Sequence, residues 1–103
     1  NSKNFWPAVI EEILSKRMGL SKVWQKISRQ SGIQSFVGTG ELSTVERQSK
    51  DRLEKLMQRR NDVIHRGRSY FAPSDTEVRD ASKFLSVLID SLAQVMKSHL
   101  DSI

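Results

Sequence analysis

Apolar residues along this chain recur at three- and four-residue steps and nowhere in strict alternation, a pattern that predicts helices and no strand. Val9, Ile10, Ile13 and Leu14 form a first stripe that reaches Met18. Asn4 is placed to cap it, and Pro7 is tolerated in its first turn. Gly19 interrupts the stripe, and Leu20, Val23, Trp24 and Ile27 resume it to about Gln30, which fits one bent helix or two. Ser31 to Leu42 carries Gly32, Gly38 and Gly40 and reads as a loop, with Ile33, Phe36 and Val37 pinning it to the core. Ser43-Thr44-Val45-Glu46 has the spacing of a capping box and predicts a helix from there to about His65 or Arg66. Its apolar face, made of Val45, Leu53, Leu56, Met57, Val63 and Ile64, is discontinuous, and Gly67 is a natural stop. Ser69 to Ser74 form a connection that Pro73 helps to end. Ser74-Asp75-Thr76-Glu77 repeats the capping logic. Ala81, Phe84, Leu85, Leu88, Ile89, Leu92, Val95, Met96 and Leu100 follow it as the strongest helical stripe and the expected main core element.

These elements describe an all-α fold, a compact bundle of four to five helices. The chain has 103 residues, enough for one core, so residues 1–103 read as a single domain. Asn1 stands first where an initiator Met is expected, which fits a domain excised from a longer protein. No apolar run approaches the ~20 residues that cross a bilayer, and no charged-then-apolar signal segment opens the chain. Cysteine is absent, which excludes disulfides and cysteine-based zinc sites and fits a reducing compartment; a cytoplasmic setting is the expectation.

Charge changes the picture more than composition does. Seventeen Lys and Arg stand against twelve Asp and Glu, a net charge of +5 that favours a polyanionic partner. Arg47, Lys50, Arg52, Lys55, Arg59, Arg60, Arg66 and Arg68 crowd the central helix and its exit. Part of this is a solvated helix face balanced by Glu46, Asp51, Glu54 and Asp62.

At that exit lies Arg59-Arg60-Asn61-Asp62-Val63-Ile64-His65-Arg66-Gly67. It combines a permanent cation, Arg60, with His65, whose imidazole titrates near neutral pH, and with the amide of Asn61. The arginine can neutralise a phosphate and the histidine can move a proton, a set suited to phosphodiester chemistry without a metal. Arg60 cannot serve as a base, because it never loses its proton. His65 can take a proton from a ribose 2′-OH or give one to a 5′-oxygen leaving group, and a helix C-terminus favours its protonated form. Cleavage would then leave a 2′,3′-cyclic phosphate and act on RNA, not DNA. Arg59, Arg66 and Arg68 are candidates for guiding the RNA backbone, and Tyr70 for stacking on a base. Five residues of helix give about 7.5 Å of rise and about 140° of rotation, so Arg60 and His65 do not sit side by side on one straight helix.

The spelling Arg60-Asn61-x-x-x-His65 resembles the signature of the HEPN superfamily, small all-α domains, and comes closest to its ribonuclease-type RiboL-PSP group. The motif covers six residues, and the helical frame extends the likeness to most of the chain. The resemblance implies a two-fold homodimer whose motif helices line one shared cleft. It implies a metal-independent endoribonuclease with Arg60, Asn61 and His65 as site residues and no cofactor. It also implies a toxin, phage-defence or RNA-processing setting, with an antitoxin or fused domain as partner. The alternative is a non-catalytic HEPN-like dimerisation or RNA-binding module of a larger protein; a helical adaptor is a third reading. Phe5, Trp6, Trp24, Phe36, Tyr70 and Phe71 exceed what a core filled by the last helix needs, which also points to a second buried face.

Other features carry less. His99, near the end of the last helix, reads as an exposed capping residue. Two histidines without clustered carboxylates make a poor metal site. Trp6 and Trp24 fall on apolar stripes and read as core or interface rather than base-stacking platforms. The glycines of 32–40 lack the spacing of a phosphate-binding loop.

Overall fold

The computed structural model describes residues 5–66 and 74–102, with only the backbone over 60–66. Among these residues all regular structure is helical: α1 is Phe5–Met18, α2 Val23–Ser28, α3 Ser31–Val37, α4 Leu42–Arg66 and α5 Asp75–Asp101. The short α2 and α3 form a middle layer. Both pack on α4 and on α5, while α1 lies along α4 and touches α2.

The first stripe is two helices, not one bent helix. Gly19 takes a left-handed φ of 68°, a conformation glycine adopts at little cost. Leu20 is fully buried just after it, and Lys22, also left-handed, precedes α2. Trp24 anchors the joint: its ring is buried and its Nε1 donates to the Pro7 carbonyl at 2.9 Å. Burying an aromatic of this size is among the larger single contributions a core receives, and the hydrogen bond removes the cost of its N–H.

The stretch 31–37, expected as a loop, is helix α3. Gly32 opens into ordinary contact with Val87 Cγ1 at 3.8 Å from where a Cβ would stand, so its place in the helix is compatible with close packing. Ile33 is completely buried, and Phe36 packs tilted against Phe84 with ring centroids 5.7 Å apart. Tertiary contact thus outweighs the roughly 1 kcal/mol that glycine costs inside a helix. The loop begins only after α3: Gly38, at φ 95°, closes the helix by donating to Gln34 O.

The two expected capping boxes fare differently. At α5 the box is complete, with Ser74 accepting from the Glu77 amide and Glu77 reaching back to Ser74. At α4 it is absent. The helix starts at Leu42, which places Ser43 inside it. Ser43 and Thr44 hydroxyls instead donate to the Glu41 carboxylate, and Glu46 pairs with Lys50 at 2.8 Å. Glu41 is the better acceptor here because its charge lies at the positive end of the helix.

Phe84, Leu88 and Val95 of α5 are buried with Val23, Trp24, Ile27, Ile33, Val45 and Leu53. Leu85, Ile89 and Leu100, expected in the same core stripe, are exposed, as is Val78. The α5 apolar surface is wider than the layer it packs on, and its outer row is left facing solvent. Gly67 and the connection up to Pro73 lie outside the described residues. No helix among the described residues is long and apolar enough to cross a membrane.

Candidate nucleic-acid site at the end of α4

The helical register of α4 sorts its residues into three rows. Ser49 and Leu53 are buried, and Leu56 packs on the core. The row they define continues through Arg60, within about 40° of each. A permanent cation therefore occupies a backbone position in the inward row, one turn beyond the core. Glu54, Gln58, Asn61 and His65 form a second row, confined to about 60° of arc. Lys55, Arg59 and Arg66 form a third, within about 40°. Arg60 and His65 thus fall in different rows.

The second row begins in a buried polar arrangement that sequence reasoning missed. Glu54 is only 5% exposed. Its Oε1 accepts from the Trp6 amide at 2.8 Å, and its Oε2 from Gln58 Nε2 at 3.0 Å. Glu54 thereby caps the first turn of α1 from a neighbouring helix, satisfying an N–H that has no partner within α1. The signal was present as a carboxylate one position from Leu53, but it read as charge balance on a solvated face. Asn61 and His65 follow Gln58 at three and seven residues, so the row runs from a buried carboxylate to the helix end.

The basic side is partly spent within the chain. Arg59 pairs with Glu77 of α5, and the two side chains are 42% and 49% exposed. Arg52 lies 4.8 Å above the Phe36 ring centroid, a cation–π contact, and Lys50 pairs with Glu46. Arg47 and Lys55 are exposed. The Glu77 carboxyl is held below its ordinary value, first by the Ser74 backbone N–H and then by Arg59.

Two helix starts therefore contact α4 ahead of the motif: α1 at Glu54 through Trp6, and α5 at Arg59 through Glu77. The two N-termini attract anions in principle. Here Glu54 and Glu77 already occupy them, so attraction for a phosphate falls to the arginines. Gly67, Arg68, Tyr70 and Phe71 lie outside the described residues, as do the side chains of Arg60, Asn61, His65 and Arg66. Among the described residues, no group of three or more acidic or histidine side chains is placed to share a metal ion.

Of the remaining residues singled out by sequence, Trp24 is core. Trp6 is half-buried, its ring meeting Phe5 edge-on at 5.2 Å. Trp24 and Phe36 account for part of the aromatic surplus within the fold itself. His99 is not a plain exposed cap. Its Nε2 donates to the Met18 carbonyl at 2.7 Å, tying the end of α5 to the end of α1.

An all-helical bundle with an arginine–histidine motif on the last turns of its central helix defines an HEPN-type domain. The family model described as RiboL-PSP-HEPN matches residues 1–98, and the chain belongs to that family. Its domains are generally of ribonuclease type. No curated protein and no solved structure gives a significant match.

Proposed function

We propose that this chain is a metal-independent endoribonuclease. The observation that carries the reading is the match to a ribonuclease-type family over residues 1–98, together with the position of the motif at the end of α4. In the proposed reaction the ribose 2′-oxygen attacks the adjacent phosphorus and the bond to the 5′-oxygen breaks, leaving a 2′,3′-cyclic phosphate. His65 accepts the 2′-OH proton or returns one to the departing 5′-oxygen. Arg60 holds the phosphate and stabilises the charge that builds on its oxygens. Asn61 supports the arginine or the substrate by hydrogen bonding, and Arg59, Arg66, Arg68 and Tyr70 line the approach of the strand.

The rows of α4 support a two-fold assembly. Arg60 and His65 lie about 140° apart on one helix, so one copy offers half of a site. Two copies meeting along this helix would place two arginines and two histidines around one cleft, with one histidine free to act as acid and the other as base. The setting we propose is a cytoplasmic toxin, defence or RNA-processing system.

Cleavage of single-stranded RNA in excess EDTA is the direct test. The expected product carries a cyclic phosphate, and activity survives the chelator. Activity that disappears with EDTA and returns with magnesium overturns the mechanism. Dilution tests the assembly: specific activity should fall as light scattering reports monomer, and full activity in a proven monomer removes the shared cleft.

A further inference from the structure

A cleft of about 270 Å³ opens between α2 and the C-terminal end of α5. Leu20 and Val95 are its apolar lining; Lys26, Arg29, Gln30, Ser98, His99 and Ser102 supply its polar groups. Along α5, His99 is 22 residues from Glu77, about 33 Å of helix from the motif end. The cleft is therefore separate from the Arg60–His65 site.

Lys26 and Arg29 face a simple explanation first. Both stand at the end of α2, where cations commonly offset the exposed carbonyls of a helix C-terminus. Here those carbonyls have partners of their own. Gln34 Nε2 donates to Ser28 O at 3.0 Å, the Gln30 amide to Ile27 O at 3.0 Å and the Arg29 amide to Lys26 O at 3.3 Å. The Met18 carbonyl is taken by His99, and the Ser102 amide serves the last turn of α5. The two side-chain cations are not needed to satisfy the helix ends. Neither makes an ion pair with a carboxylate among the described residues, unlike Lys50 and Arg59 on α4.

The polar groups on one side of the cleft donate, and the lining beneath them is apolar. Lys26 offers an ammonium, Arg29 a forked guanidinium and Gln30 an amide. Such a surface takes a phosphate of an RNA strand at its rim. We propose that this cleft is a second RNA-binding station, holding one nucleotide of the strand with its phosphodiester on Lys26 and Arg29. This rests on the ribonuclease reading. It extends the RNA footprint to the end of the bundle opposite the motif.

The test is fluorescence anisotropy with a labelled single-stranded RNA carrying 2′-O-methyl groups, which block cleavage, titrated at several salt concentrations. The Lys26→Gln/Arg29→Gln double variant alters surface positions and keeps their polarity, and circular dichroism checks its fold. Two lost phosphate contacts should lower the slope of log affinity against log salt by about 1 to 1.5, with affinity down several-fold at low salt. Amide shifts at Leu20, Gln30, Ser98 and Ser102 should follow the RNA and saturate far below the concentration at which inorganic phosphate alone moves them. Equal response to phosphate alone overturns the strand as ligand. If the wild-type protein binds and cuts RNA while the double variant keeps its affinity and slope, the cleft proposal falls by itself. If the wild-type protein neither binds nor cuts RNA, the ribonuclease reading falls, and the station falls with it.

Discussion

The two ends of this bundle are fastened by different physics. At one end α1, α2 and α5 terminate together, and His99 donates to the Met18 carbonyl beside Leu20 and Val95, both buried. At the other end α4 and α5 are joined by Arg59 and Glu77, a pair roughly half exposed to water. A single partly buried hydrogen bond to a backbone carbonyl depends less on salt than an exposed ion pair does. An exposed ion pair contributes about 0 to 1 kcal/mol and is screened. The motif sits at the end where the contact between α4 and α5 is the weaker, charge-based one. Each end also has one histidine on the last turns of a long helix. Helix position alone does not separate them; the helical row that each continues does. His99 has its Nε2 committed to a backbone carbonyl, whereas His65 continues a polar row that begins at Glu54 and Gln58.

The sharpest way to break this contrast is to remove each motif residue. His65→Ala and Arg60→Ala should each lower RNA cleavage by a factor on the order of 10² or more, as loss of an acid–base or charge-stabilising group does. Circular dichroism and thermal unfolding check that each variant keeps its fold. Undiminished cleavage by folded His65→Ala protein would remove the chemical role and leave two structural histidines.

The converse experiment is His99→Ala. It strips the donor from the Met18 carbonyl, and a partly buried acceptor left without a partner costs about 1 to 3 kcal/mol. For a domain of this size each kcal/mol shifts the melting temperature by roughly 4 to 8 °C. A melting temperature equal to wild type would show that water replaces the imidazole and that this end is not fastened as described.

Sequence legibility divides along related lines. Features set by local chemistry were readable: the Ser74–Glu77 box, the helical extent of α4 and the all-α class. Features set by tertiary contact were not. α3 was hidden because Gly32 signals a loop and only the burial of Ile33 against the other helices reverses it. The Glu54 cap on α1 spans 48 residues of sequence, and no local spacing announces it. The outer row of α5 looked like core because periodicity reports apolarity, not what covers it. For the candidate site, the motif and its rows follow from spacing alone. The Arg59–Glu77 contact needed the fold.

A smaller effect is expected at the cap next to the motif. Ser74→Ala removes the hydroxyl that accepts from the Glu77 amide, a loss of about 1 kcal/mol for an N-cap serine. Urea unfolding should register it as a lower midpoint at unchanged slope. An unchanged midpoint would mean that the Glu77 carboxylate alone organises the start of α5.

The smallest effect isolates charge from geometry. The Glu77 carboxyl is depressed below its ordinary value of 4.5, chiefly by the Ser74 backbone N–H and then by Arg59. A carboxyl with a lowered folded-state value contributes stability that is present above the unfolded value and fades as pH falls through the folded one. Glu77→Gln keeps a side chain able to close the box and loses only the charge. The wild-type protein should therefore melt slightly above the variant at neutral pH, and the gap should close as pH drops well below 4.5. Glu12 and Glu41 are depressed too, by Lys16 and by the Thr44 and Ser43 hydroxyls, so both proteins lose stability in acid. Only the difference between them reports Glu77. Salt separates its two partners: at about 1 M the Debye length is near 3 Å, which screens the exposed Arg59 pair and spares the hydrogen bond from Ser74. A gap unchanged by salt would mean that Arg59 contributes nothing to holding α4 on α5.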